Sequence, residues 1–136
     1  MPNHSHPRPT SRLWLWLTGS CLLMISTLSH ALSLGEATLH SRLNQPLLAL
    51  IPVSADTTEL EQLQVALGSP QAFKRAGITR EEILYSLKFE LLRHPETPQI
   101  RITSSRALRE PLLEFVIQLQ WGNGSLVRPI ALFLSP

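Results

Sequence analysis

Side chains able to do chemistry are sparse in this 136-residue chain, and their spacing argues against a reaction centre. Cys21 is the only thiol, and it sits in an apolar N-terminal run. After residue 31 the histidines are His40 and His94, far apart, and Asp56 is the only aspartate. A metal site of the zinc type needs at least three convergent ligands, which this set does not offer. Glu81 and Glu82 are adjacent, but neighbouring helical positions point about 100° apart. They therefore do not flank one reacting bond as paired glycosidase carboxylates do. There is no Gly-x-Ser-x-Gly elbow, no glycine-rich phosphate cradle and no His-Glu-x-x-His. The expectation is a non-enzymatic protein with no cofactor and no metal.

One charged cluster stands out. In TSSRALREPLLEFVIQLQW, residues 103–121, a polar stretch with Arg106, Arg109 and Glu110 runs into Pro111 and then into alternating apolar residues. Proline fixes φ and removes a donor, so the chain turns a corner there. One reading has the three charged side chains holding that corner through hydrogen bonds and surface ion pairs, contacts of modest energy. The other makes it a partner-binding corner, because exposed loops on a rigid scaffold often carry recognition.

The elements that position this cluster begin after an export segment. Residues 1–12 hold Arg8 and Arg12 and no acid, and 13–25, LWLWLTGSCLLMI, are uncharged and apolar. Ser29 and Ala31 then supply the small residues of a signal-peptidase site. The expected division is a signal peptide over 1–31 and one domain over 32–136. The apolar run Leu13–Leu28 is 16 residues, against roughly 20 for a membrane span. Cleavage is thus favoured over anchoring, and no membrane span is expected afterwards. Without Arg8 and Arg12, ten Lys and Arg face ten Asp and Glu. That balance gives no basic patch for nucleic acid.

In the remaining chain, short runs alternate with turn residues. GEATLHS (35–41) alternates as a half-buried strand. PLLALIPV (46–53) is a continuous apolar run, expected to be covered on both faces. SADTTELEQ (54–62) is polar with room for a helical turn, and 63–67 alternates again. Ser69 caps a helix opening at Pro70, with Lys74 and Arg75 in its last turn and Gly77 as its stop. Thr79-Arg80-Glu81-Glu82 reads as a capping box opening a second short helix, about Arg80 to Tyr85. Strands follow at 87–92, with Phe89 inward, and at 99–104, with Ile102 inward. The last two, 112–121 and 126–134, flank Gly122-Asn123-Gly124-Ser125, where Asn-Gly is a hairpin signal. A two-residue Asn123-Gly124 loop would pair Trp121 with Leu126, Ile117 with Ile130, Phe115 with Leu132 and Leu113 with Leu134. Pro129 would then face Gln118 at a hydrogen-bonded site, a conflict that a bulge or an outward edge position would remove. The expected structural core comprises Phe89, Ile102, Phe115, Ile117, Leu119, Trp121, Ile130 and Leu132. The fold class is mainly β, an Ig-like β-sandwich with two short helices inserted mid-chain.

Four stretches also carry a family resemblance: LGEATLHSRLNQPL (34–47), LGSPQAFKRAGI (67–78), LKFEL (87–91) and IRITSSRALREPLLEFVIQLQWGNGSLVR (100–128). In this order they resemble the N-terminal periplasmic domain of the FimV family, over about 35–136. The resemblance implies a periplasmic, non-catalytic interaction module linked to type IV pilus assembly, twitching motility and cell-pole or secretion organisation. Its expected partners are envelope proteins of a pilus or secretion machine. The family's longer members continue into a peptidoglycan-binding LysM domain; this sequence runs to Pro136, so peptidoglycan binding is not among the expectations. LLALI (47–51) and Pro129 depart from the family pattern. The alternative function is a free-standing Ig-like periplasmic adaptor or chaperone that binds partner strands at a sheet edge.

Overall fold

The computed structural model describes residues 32–93, 96–122 and 124–136. Apart from Asn3, the expected signal segment lies outside the described residues, as do His94, Pro95 and Asn123. Numbered in chain order, the strands are β1 (Ser33–Leu34), β2 (Thr38–Leu39), β3 (Pro46–Ser54), β4 (Gln64–Leu67), β5 (Leu87–Leu92), β6 (Gln99–Ala107), β7 (Leu112–Trp121) and β8 (Gly124–Phe133). Helix α1 (Thr57–Gln62) precedes β4, and helix α2 (Pro70–Ala76) and a 3-10 helix (Glu82–Ser86) follow it. One antiparallel sheet has the order β1-β3-β6-β5, with β2 also on β3; the other has the order β4-β7-β8. Ile51, Ile100 and Ile102 from the first sheet and Phe115, Ile117 and Leu119 from the second are fully buried in one core. The Phe89 and Phe115 rings approach to 6.3 Å between the two sheets, inside the range of favourable aromatic pairs. The mainly β sandwich expected from the sequence is the fold observed.

Strand β3 buries Leu47, Ala49, Ile51 and Val53, while Leu48, Leu50 and Pro52 are only half-buried. The expected cover on both faces is therefore partial. Of the single strand expected over 35–41 only Thr38–Leu39 (β2) forms, and a separate short strand, β1, precedes it at Ser33–Leu34. Gly35 donates its N–H to the Pro52 carbonyl at 2.8 Å, but Pro52 has no N–H to return. Pairing runs Leu34 to Val53 before this point and resumes at Thr38 to Leu50, one residue out of step.

The last hairpin differs from the expected register by two residues. Trp121 faces Gly124, Leu119 faces Leu126, Phe115 faces Ile130 and Leu113 faces Leu132. Gly124 is thus a strand residue rather than a turn residue. A Cβ there would meet the Trp121 indole at 2.7 Å, so the ring lies against a bare glycine backbone. Because side chains alternate with period two, a two-residue shift leaves the same residues facing the core. Ile130 and Leu132 are buried, and Trp121 is partly buried. The shift also removes the proline conflict. Pro129 pairs with Val116, whose carbonyl accepts from Gly68 N–H at 2.7 Å on the opposite side. Val116 therefore bonds toward β4, and Pro129 points its nitrogen to the open edge, where no donor is needed.

Helix α2 forms as its residues dictate. Ser69 Oγ accepts from Ala72 N–H at 3.2 Å, Pro70 opens the helix, and Gly77 ends it at φ 70°. The second expected helix is instead a 3-10 helix with Glu81 at its N-cap and no side-chain cap bond. Arg80, expected as its first residue, lies over the Phe73 and Tyr85 rings, 5.6 and 5.2 Å from their centroids. The helix starts two residues later, which leaves Thr79 too far upstream to cap it. A capping box does form at Asp56: Asp56 Oδ1 accepts from Glu59 N–H at 2.7 Å, and Asp56 N–H donates to Glu59 Oε2 at 3.1 Å.

Candidate functional site

The corner between β6 and β7 is built from backbone and one hydroxyl. β6 continues past the expected end at 104 to Ala107, but its register with β3 slips between Pro46 and Leu48. Ser104 sits at that slip. Its Oγ accepts from Leu47 N–H at 2.7 Å and donates to the Arg106 carbonyl at 2.6 Å. Ser104 is the buried polar residue of the core region. Leu108, also buried, plugs the turn, with its N–H on the Gln45 carbonyl at 3.0 Å and its carbonyl on Asn44 N–H at 2.7 Å. The Pro111 carbonyl accepts from Leu134 N–H at 2.8 Å, which ties the start of β7 to the end of the chain.

The side chains of Arg106, Arg109 and Glu110 make none of these bonds; Arg106 contributes only its carbonyl. All three are exposed. Among the described residues the salt bridge is that between Arg101 and Glu90, cross-strand partners on β6 and β5. The side-chain hydrogen bonds of the corner belong to Ser104. The reading in which the three charged residues hold the corner is therefore corrected: Ser104 and the main chain hold it. Ser104 continues the inward alternation of Ile100 and Ile102, and a serine at an inward position was the available signal.

The three charged side chains do share a cleft. It measures about 620 Å³ and lies between the corner and the 3-10 helix. Ile83, Leu108, Leu112 and Leu113 make its apolar surface. Glu81 and Glu82 line it from the helix, and Arg106, Arg109 and Glu110 from the corner. Leu112 is 41% exposed, and its cross-strand partner Phe133 is 76% exposed. The cleft's apolar surface thus continues onto the outer face of β7 and β8. The sequence singled out the charged half of this site but not Ile83, Leu112 or Phe133, which lie in separate segments brought together by the sandwich.

Other candidate chemistry is dispersed. Asp56 is committed to its helix cap, and His40 is exposed, with its backbone N–H on the Leu48 carbonyl. Among the described residues no group of three or more His, Cys, Asp or Glu could hold a metal ion. Among the same residues no helix is long and apolar enough to cross a membrane.

Comparison with known proteins gives one family. The FimV N-terminal domain, described as an Ig-like domain, matches residues 32–136. The curated relatives include the motility hub protein FimV from two strains of Pseudomonas aeruginosa, each 40% identical over 117 residues. The match covers 84% of this chain and 13% of each relative, so the chain spans a small part of their length. No solved structure matches.

Proposed function

Because the chain belongs to the FimV N-terminal domain family, we propose that it is a non-enzymatic protein-interaction module of the bacterial envelope, exported by residues 1–31 and working in the periplasm. Its role is to bind components of the motility apparatus, in type IV pilus assembly or the organisation of the cell pole or secretion machinery. The supporting observation is the corner cleft: an apolar surface rimmed by exposed charges that form no ion pair among the described residues, on a turn that Ser104 and the main chain already hold. Side chains that do no structural work and surround an apolar hollow are suited to recognition. Arg106, Arg109 and Glu110 are the proposed partner-binding residues.

The adaptor or chaperone reading requires an open sheet edge. At β8 that edge is obstructed by Pro129, which cannot donate to an added strand. Arg128 Nη1 also donates to the Leu34 carbonyl at 2.7 Å, fastening β8 to β1. The cleft is accordingly the favoured contact surface.

The test is capture from envelope extract of the native host, with tagged wild type beside an Arg106→Ala, Arg109→Ala double variant. Wild type is expected to retain pilus or secretion components, and the variant to lose them at an unchanged melting midpoint. Equal capture by both would remove the corner from the function. Capture of strand-donating or unfolded subunits in their place would restore the chaperone reading.

A further inference from the structure

We infer that the corner cleft takes a short peptide segment of a partner protein in which an apolar side chain lies between a basic residue and an acidic one. This rests on the protein-binding reading above and specifies the ligand. The cleft's volume, about 620 Å³, falls within the range of roughly 300–1,000 Å³ typical of ligand sites. Its apolar surface from Ile83, Leu108 and Leu112 offers a seat for an aliphatic or aromatic side chain.

The charges around that seat are unevenly divided. The 3-10 helix contributes two carboxylates, Glu81 and Glu82, and the corner contributes two guanidinium groups, Arg106 and Arg109, beside one carboxylate, Glu110. The helix side is therefore acidic, and the corner side is net basic by one charge because Glu110 offsets one of the two arginines. Among the described residues no ion pair joins the two sides across the hollow. A uniformly acidic segment would be repelled at the helix side, and a uniformly basic one would be repelled at the arginines. A segment with a cation toward Glu81 and Glu82 and an anion toward Arg106 and Arg109 satisfies both sides while its apolar residue fills the hollow. The same carboxylates disfavour a polyanion such as nucleic acid. Both sides are anchored, the corner by Ser104 and Leu108 and the helix by buried Leu84, so little ordering is needed on binding. The exposed Leu112–Phe133 pair extends the apolar seat for a second side chain.

The experiment titrates isotope-labelled mature protein, purified from periplasm, with three synthetic hexapeptides sharing a Leu-Phe centre. One has two lysines at one end and two glutamates at the other; the second has lysines at both ends and the third glutamates at both. The bipolar peptide is expected to shift amide resonances at Glu81–Ile83 and Arg106–Leu113 and to bind about three- to tenfold more tightly than either uniform peptide. An Arg106→Glu, Arg109→Glu variant makes both sides acidic and should transfer the preference to the all-lysine peptide, with its melting midpoint confirming the fold. Equal binding of all three peptides, an unchanged preference in the variant, or shifts centred on Ser125 and Val127 of β8 would overturn the inference. So would concentration-dependent dimerisation that buries Leu112 and Phe133, since the occupant would then be a second copy. If native capture at the corner persists while the peptides show no polarity, only this inference fails and the interaction reading stands.

Discussion

At the corner, a hydroxyl and two guanidinium groups divide the labour between holding and presenting. Ser104 satisfies the buried Leu47 N–H and bonds the Arg106 carbonyl. Replacing it with alanine leaves that N–H without a partner, a loss of about 1–3 kcal/mol for an unsatisfied buried donor. Arg106→Ala and Arg109→Ala remove exposed side chains and should each change stability by no more than about 0.5 kcal/mol. Urea melts of the three variants check this ranking; the reverse order would return the corner's integrity to the arginines. The charge cluster was visible in the sequence because arginines and a proline draw the eye. The inward position of Ser104 was legible too, but its role was not, because a hydroxyl becomes structurally important only when a register slip places it beneath an unpaired N–H. Leu112 and Phe133 were hidden for a related reason. Exposure of an apolar residue depends on what covers it: Gly68, on the segment leading into helix α2, packs against Val116 of β7, while Leu112 and Phe133 are left exposed.

Among the elements, local chemistry was readable where it acts alone and was misread where neighbours intervene. Ser69, Pro70 and Gly77 mark α2 completely, since a cap, a pre-set φ and a left-handed stop need only adjacent backbone. Thr79-Arg80-Glu81-Glu82 carries an equally good cap pattern, yet Arg80 lies between two aromatic rings and the helix starts later. Asp56-Thr57-Thr58-Glu59 carries the same pattern and uses it. Asp56→Ala should therefore destabilise by about 0.5–2 kcal/mol, whereas Thr79→Ala should stay within about 0.5 kcal/mol. Paired thermal melts distinguish the two boxes. The hairpin register was displaced because Asn-Gly is a turn signal judged from two residues, while the actual pairing depends on the Trp121 ring lying against Gly124. Gly124→Ala should force the indole aside, seen as a change in Trp121 fluorescence with a lowered melting midpoint. Ser125→Ala, exposed on the same strand, should leave both as in wild type.

For the molecule as a whole, the proposed export and the folding of the domain meet at its first described residues. Leu32 and Leu34 are buried in the common core, and β1 begins pairing with β3 at Ser33. Arg128 of β8 closes the other side by donating to the Leu34 carbonyl. Cleavage after Ala31 would retain this entire arrangement, whereas cleavage a few residues later would discard two core side chains and the bond that joins the two sheets. N-terminal sequencing of the periplasmic protein is therefore expected to read Leu32 first; retention of Met1 in the membrane fraction would defeat the proposal of a released module. A chain made to begin at Gly35 tests the structural half of the argument independently of processing. It loses two buried leucines, each contributing about 1.5–3 kcal/mol, against a total stability of roughly 5–15 kcal/mol for a domain of this size. Its urea midpoint should fall well below that of the chain beginning at Leu32. Equal midpoints would mean that β1 contributes nothing to the cooperative unit, and the position of the cleavage site would then carry no structural consequence.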